Sequence, residues 1–353
     1  MNKIIILVDY KFEFQCTIED LKNYSSMNIN KIVKYLNQYN YNVEVITFSD
    51  FDFTRNYKNV FILYHSSEDS GLYYKSYIED ICFFLENQGA ILIPKLLYLR
   101  SHHNKSLMEM LRYTFKNESL RSLQSCIYGT YEDSIKKNIN LNFPVVLKAS
   151  EGSGSNGVIL VKNKKEYKYY IKKISRVKLF NSISDLIKYY LNNIFRKKNK
   201  RAYTEYRKKF IVQPFIKNLS GDFKVLYYSG KYYIIGRKNR KNDFRASGSG
   251  LIYNVNHNEA FGVLSFFKIL VNEIDEEIIG ADIAFDGTRY HLIEFQIWNF
   301  IGPYALQSSK CWYEWNLLEE CWEIKHGYSE LEYEYCRSVH FHIFKLNNKK
   351  YFE

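Results

Sequence analysis

The sequence predicts a mixed α/β and α+β protein, with a small parallel α/β domain followed by a larger part rich in antiparallel hairpins. Three observations carry this expectation. Residues 4–94 alternate between continuous apolar runs and apolar positions at helical spacing. A strand ending at Lys148 runs into a Gly/Ser loop and out again into a second strand. From residue 211 onward, turn signals separate paired strand-like runs.

Residues 4–9 form an apolar run closed by Asp9, as in a strand covered on both faces. Ile29, Ile32, Val33 and Leu36 recur at helical spacing, and 43–48 returns to strand. Residues 60–64 read as the next strand, 73–87 as a helix closed by Gly89, and 90–94 as a fourth strand. No glycine-rich dinucleotide fingerprint follows the first strand, so no dinucleotide site is expected there. A helix over 107–113, strands over 145–148 and 158–161, and a Lys/Arg-rich helical stretch come next. Residues 223–228 and 232–236 then flank the turn Ser229-Gly230, and a helix is expected over 258–274. A second hairpin, 280–285 and 290–296, closes at Asp286-Gly287. The last forty residues suggest a helix around 315–322 and a strand carrying His340 and His342. The expected parts are 1–103, 104–210 and 211–353.

Composition narrows the class. With 353 residues the chain exceeds one ordinary domain. Its 46% hydrophobic and 25% charged residues are ordinary, and 4 prolines and 16 glycines exclude collagen-like or low-complexity chains. The 33 Tyr and 25 Phe supply abundant core material. There is no apolar run of about 18 residues, so no transmembrane helix is expected. The apolar part of the start is too short for a secretory signal. Cys16, Cys82, Cys126, Cys311, Cys321 and Cys336 are scattered without zinc spacing, which suits free thiols in a reducing cytoplasm. The net charge of +12 is local: residues 161–210 hold 17 Lys/Arg against three acids, leaving 33 basic and 35 acidic residues elsewhere. That run reads as a solvated insertion or an attractor of anions. No recognisable RNA-binding motif accompanies it, and no nucleic-acid partner is expected.

The chemistry concentrates in three places. In Phe143-Pro144-Val145-Val146-Leu147-Lys148, followed by Gly152-Ser153-Gly154-Ser155-Asn156-Gly157, a strand-end ammonium precedes a loop whose backbone N–H groups can approach phosphate oxygens. It is not a P-loop, because no Gly-Lys-Ser/Thr closes it. A surface hairpin without a ligand would leave the same pattern. Near the other end, the Asp286-Gly287 turn folds Asp282 against Glu294 and Gln296, which share a sheet face. Hard oxygens of this kind hold Mg²⁺ beside nucleotide phosphates. Between them lie Ile211-Val212-Gln213-Pro214-Phe215-Ile216, Asp222-Phe223-Lys224, and Asp243-Phe244-Arg245-Ala246-Ser247.

This order, over residues 104–302, resembles the ATP-grasp superfamily, in particular the branch of carboxylate–amine ligases that includes ribosomal-protein glutamate ligases. The opening α/β segment is similar to the pre-ATP-grasp domain that precedes it in such proteins. The resemblance implies a two-subdomain ATP-grasp fold with the nucleotide between the subdomains. It implies that Lys148 binds the α/β-phosphates, that Lys105 approaches ATP from the preceding helix, and that residues 152–157 form a lid. Gln213 with the backbone of Pro214 and Phe215 would read adenine, and Asp222 the ribose. Arg245, Ala246 and Ser247 would face the γ-phosphate, with Arg245 and Lys148 acting catalytically. Asp282, Glu294 and Gln296 would hold one or two Mg²⁺. The implied reaction joins a small-molecule or glycan-linked carboxylate to an amine through an acyl phosphate, and a homo-oligomer is compatible with it. A phosphotransferase or a non-catalytic nucleotide-binding module uses the same elements. Three positions depart from the pattern: Pro214 replaces an acid, Gln296 replaces Asn, and 297–304 replaces the usual Pro-Gly tail. The Glu294-Phe295-Gln296 variant looks like a subgroup associated with bacterial surface glycans.

Overall fold

The computed structural model describes residues 3–15, 26–69, 71–137, 141–152, 157–177, 184, 187, 191, 204–241 and 243–349. Two compact units account for them. One contains 1–102, 115–122 and 218–353, and the other 103–114 and 123–217. The expected segments thus interleave: the first joins most of the third in one unit.

In the larger unit the N-terminal strands form a four-stranded parallel sheet in the order Asn42–Thr47, Lys3–Val8, Phe61–Leu63, Ile91–Ile93. Ile5, Leu7, Ile62 and Leu92 pack there with Ile78, Ile81 and Leu85 of the Tyr73–Asn87 helix. Isoleucine- and valine-rich strands without alternation suit a sheet buried on both faces. The Ile29–Gln38 helix begins where the Asn28 side chain accepts from Lys31 N, capping the first turn.

The same unit holds a seven-stranded antiparallel sheet. Its order is Tyr290–Ile297, Ile278–Phe285, Gly221–Tyr228, Lys231–Lys238, Trp312–Asn316, Cys321–Lys325, with Ile252–Tyr253 beside Lys231–Lys238. Both predicted hairpins are present. The helix at His257–Ile274, capped by the Asn256 side chain accepting from Glu259 N, covers one face and places Phe267 against Tyr232. Register then fixes the opposite face, because side chains alternate along a strand. Asp222 faces Arg237, Lys224 faces Asp282, and Asp282 faces Glu294.

Two expectations near the C-terminus are corrected. Residues 312–325 form an antiparallel strand pair, not a helix around 315–322: Asn316 Oδ1 accepts from Leu318 N and Glu319 N, an Asx turn without Gly or Pro. His340 and His342 lie on the Leu331–Lys349 helix, not a strand. Leu331, Tyr335, Val339 and Ile343 bury one helical stripe, and His340 stacks on Tyr39 at 4.2 Å.

The smaller unit is built on the antiparallel order Cys126–Tyr128, Phe210–Pro214, Val145–Ala149, Val158–Val161. Val145, Leu147, Phe210 and Val212 enter its core with Tyr167 and Ile171 of the Lys164–Ser175 helix. Part of the basic 161–210 stretch lies outside the described residues. Among the described residues no helix is long and apolar enough to cross a membrane.

Candidate active site

In the smaller unit, Leu147 points into the core and Lys148 to the other sheet face, where Val146, Ile211 and Gln213 also lie by register. Lys148 is 6% exposed, an ammonium delivered by a strand to a sheltered surface. Lys105, on the first turn of the Lys105–Thr114 helix, donates from Nζ to the Gly152 carbonyl at 2.5 Å. Its own N–H donates to the Ser150 carbonyl at 2.8 Å, and Ser106 N–H reaches Ser150 Oγ at 3.1 Å. Helix, strand end and loop root are thereby joined.

Gly157 closes that root at φ 76°, where a Cβ would come within 2.9 Å of the Ala149 Cβ. Only glycine meets both demands. Ser153, Gly154, Ser155 and Asn156 lie outside the described residues. Gln213 is 4% exposed and donates from Nε2 to the Leu123 carbonyl at 3.3 Å, so its amide nitrogen is already engaged within the unit. Pro214 ends the same strand and is exposed.

In the larger unit a charged array lies across three strands. Arg237 grips Asp222 with two hydrogen bonds, Nε to Oδ1 at 2.7 Å and Nη2 to Oδ2 at 2.8 Å. Its Nη2 also stands 3.0 Å from Asp282 Oδ2, and its Nη1 donates to Tyr304 Oη at 3.1 Å. Lys224 Nζ is 3.2 Å from Asp282 Oδ1. Asp222, Lys224 and Arg237 are each buried. Gly302, at φ 85°, lies against Lys224: a Cβ there would meet Lys224 Cε at 2.6 Å.

The two aspartates titrate in opposite directions. Burial lifts the Asp222 carboxyl above the usual range against the pull of Arg237, and the negative charge of Asp282 adds to the lift. Burial also pushes Asp282 up, but the charges of Arg237 and Lys224 outweigh it and hold that carboxyl low. Asp282 is therefore anionic and half-buried beside two cations.

Glu294 and Gln296 extend the array along the Tyr290–Ile297 strand, both half-buried, with Gln296 Nε2 donating to Glu294 Oε1 at 3.1 Å. That bond uses the amide nitrogen of Gln296 and not its carboxamide oxygen. The hairpin is set by Asp286, whose Oδ1 accepts from Thr288 N and Arg289 N and whose Oδ2 meets His291 Nε2 at 2.7 Å. Two carboxylates and a carboxamide on one hairpin form a hard-oxygen donor set, which fits Mg²⁺.

Arg245 is partly exposed and paired with Asp243 two residues away, Nε to Oδ1 at 2.9 Å and Nη2 to Oδ2 at 2.8 Å. Ala246 beside it is buried and Ser247 half-buried. Three aromatics after the carboxylate strand have assigned contacts: Trp298 Nε1 donates to Glu276 Oε2 at 3.0 Å, Phe300 stacks on His102 at 4.7 Å, and Tyr304 receives Arg237.

Sequence reasoning assigned no role to Arg237 and left Lys224 as a motif position. The signal for Lys224 was its two-residue spacing from Asp222 on a strand. Arg237 becomes visible only through register across the hairpin. The predicted residues divide between the units: Lys105, Lys148, Gly152, Gly157, Gln213, Pro214 and Phe215 in the smaller, Asp222, Arg245, Ala246, Ser247, Asp282, Glu294 and Gln296 in the larger.

No protein-family model matches the chain, and no curated protein is significantly similar to it. Among solved structures it is similar to D-cycloserine synthetase DcsG, at 9% identity, covering 97% of this chain and 99% of that one, with a TM-score of 0.52. It is also similar to the VanG D-Ala:D-Ser ligase from Enterococcus faecalis, at 11% identity, covering 86% and 92%, with a TM-score of 0.52. At such identities the likeness establishes the fold, which is the ATP-grasp fold implied by the order of the sequence motifs.

Proposed function

We propose that the protein is an ATP- and Mg²⁺-dependent ligase that joins a carboxylate to an amine, releasing ADP and phosphate. The observation that carries this reading is the hairpin array, with the oxygens of Asp282, Glu294 and Gln296 beside the buried cations Lys224 and Arg237. The substrate carboxylate attacks the γ-phosphorus of ATP, forming an acyl phosphate as the bond to ADP breaks. The amine then attacks the acyl carbon, and phosphate leaves with its electron pair.

Little of this needs a side chain to act as acid or base. It needs charge neutralisation and positioning. Lys148 and Lys105 supply positive charge to the phosphates, and Arg245 balances the charge on the transferred group after exchanging Asp243 for it. Asp282, Glu294 and Gln296 would hold the Mg²⁺, which neutralises phosphate charge when bound. Lys224 and Arg237 keep Asp282 anionic and fix its orientation. Gln213, Pro214 and Phe215 would take the adenine and Asp222 the ribose, with 152–157 as the lid that excludes water from the acyl phosphate. The fold relatives are named for D-cycloserine synthesis and D-Ala:D-Ser ligation, both consistent with small carboxylate and amine substrates. A glycan-linked carboxylate is the extension suggested by the Glu294-Phe295-Gln296 variant.

The test is a screen of amino acids, amines and sugar acids for substrate-stimulated ADP release, with products weighed by mass spectrometry. The expected result is an amide product whose formation requires both a carboxylate and an amine. A stable phosphorylated product without amide would make the protein a phosphotransferase. ATP binding with no Mg²⁺-dependent turnover on any pool would make it a non-catalytic module.

A further inference from the structure

The larger unit holds a cavity of about 470 Å³ that the nucleotide chemistry leaves unused. Its walls come from the Ile29–Gln38 helix, the Lys231–Lys238 strand and the segments 306–312 and 327–332. None of the residues assigned to nucleotide or metal lines it. Tyr233 in its wall and Arg237 in the charged array share one face of the same strand, four residues or about 13 Å apart. The volume lies within the range of small-molecule sites.

The lining mixes aromatic rings with groups that hydrogen-bond in both senses. Trp312 is half-buried and packed at its edge by Gly327, where a Cβ would come within 3.0 Å of Trp312 Cη2. Tyr328 is 87% exposed, so its ring is open to a ligand. Gln307 presents an exposed carboxamide, which both donates and accepts. Glu332 is buried, and its Oε1 accepts from Asn28 N at 2.9 Å, which engages one oxygen and leaves the other.

The charges around the cavity select against ions. Lys231 Nζ already covers one face of the Trp312 ring, 4.6 Å from its centroid. Glu330 is engaged at both oxygens, by Lys31 Nζ and by Tyr35 Oη at 2.5 Å. A ligand cation would meet the ammonium groups of Lys31 and Lys231 and find that aromatic face taken. An anion would meet the carboxylate of Glu332. A neutral molecule with an apolar face and several hydroxyls has neither conflict.

We propose that this cavity binds a neutral saccharide, with a sugar ring against Tyr328 and Trp312 and its hydroxyls on Gln307 and Glu332. The C–H face of the ring lies on the aromatic surfaces, where it loses water without giving up a hydrogen bond. Hydroxyls donate to the carboxylate and exchange hydrogen bonds with the carboxamide. The inference does not depend on the ligase reading.

The probes are the methyl glycosides of glucose, galactose, mannose and N-acetylglucosamine, each titrated into the full chain without nucleotide. Choline chloride serves as a cation and tetrahydropyran as a ring without hydroxyls. The readout is the indole Nε1–H resonance of Trp312, identified by its loss in Trp312→Phe. At least one glycoside is expected to shift it saturably at concentrations where choline and tetrahydropyran do not. Tyr328→Ala, a change at an exposed side chain, is expected to weaken that response by about fivefold. No saturable shift from any glycoside, an equal response to choline or tetrahydropyran, or wild-type affinity in Tyr328→Ala overturns the proposal. Glu294→Gln lies outside the cavity and is expected to bind the same glycoside as wild type does. Loss of binding there would place the sugar at the charged array and overturn the cavity. With no ATP present, a failed ligase reading and a failed saccharide site are told apart.

Discussion

Arg237 sits between two aspartates on neighbouring strands, bidentate to Asp222 and 3.0 Å from Asp282, and is almost fully buried. Its removal would leave two carboxylates in low dielectric without their shared counter-ion. Breaking a buried pair in this way costs about 3–5 kcal/mol. Arg237→Ala should therefore lower the urea midpoint strongly at unchanged m-value, and Arg237→Lys, which keeps the charge but loses the fork, should lose less. An Arg237→Ala protein as stable as wild type would contradict the array.

His65 gives a pH signature at the same scale. Its folded pKa is depressed to about 3 by burial, so below the unfolded value of about 6.5 the unfolded chain binds a proton that the native state refuses. The stability it supports is complete above pH 6.5 and falls as pH drops toward 3, by about 1.4 kcal/mol per pH unit for one proton. Urea midpoints of wild type should fall more between pH 7 and pH 4.5 than those of His65→Gln. Parallel profiles would show that His65 does not carry the effect.

At the scale of elements, the loop after the carboxylate strand depends on Gly302. A methyl group there would have to displace Lys224, and φ 85° would strain any L side chain. Gly302→Ala should reduce ADP release by at least about tenfold through the altered Lys224–Asp282 pair, at a stability cost near 1 kcal/mol. Unchanged turnover in a folded variant would remove Lys224 from the site.

The elements also show where the sequence is readable. The Asp286-Gly287 and Ser229-Gly230 turns announce their hairpins because their chemistry is local. The Trp312–Asn316 and Cys321–Lys325 pair stays hidden because its turn is built from an asparagine side chain and ordinary residues. His340 and His342 misled because alternation over a few residues overlaps with a helical stripe, visible only over the longer spacing from Leu331 to Ile343. Asp282, Glu294 and Gln296 could be placed on one hairpin from their spacing. The dependence of Asp282 on Arg237 could not, since it crosses from Ile278–Phe285 past Gly221–Tyr228 to Lys231–Lys238.

At the scale of the molecule, the order of six weak motifs made the ATP-grasp fold legible where overall identity to structures of that fold is only 9–11%. Segment order did not reveal that the N-terminal and C-terminal parts belong to one compact unit. The contacts responsible, such as Tyr39 on His340 and Asn28 N to Glu332 Oε1 at 2.9 Å, join residues some three hundred apart. Chelation of Mg²⁺ by EDTA should stop ADP release, and added Mg²⁺ should restore it, because the phosphates lose their main charge partner. Persisting release in EDTA would exclude the Asp282–Glu294–Gln296 assignment.

The central proposal is that Lys148 and Glu294 each contribute to the binding of ATP with Mg²⁺. Calorimetric titration of a non-hydrolysable ATP analogue with Mg²⁺ into wild type, Lys148→Ala and Glu294→Gln tests it most directly. Both substitutions should weaken binding by about tenfold or more, as expected for the loss of one charged contact. Wild-type affinity in either folded variant would contradict it.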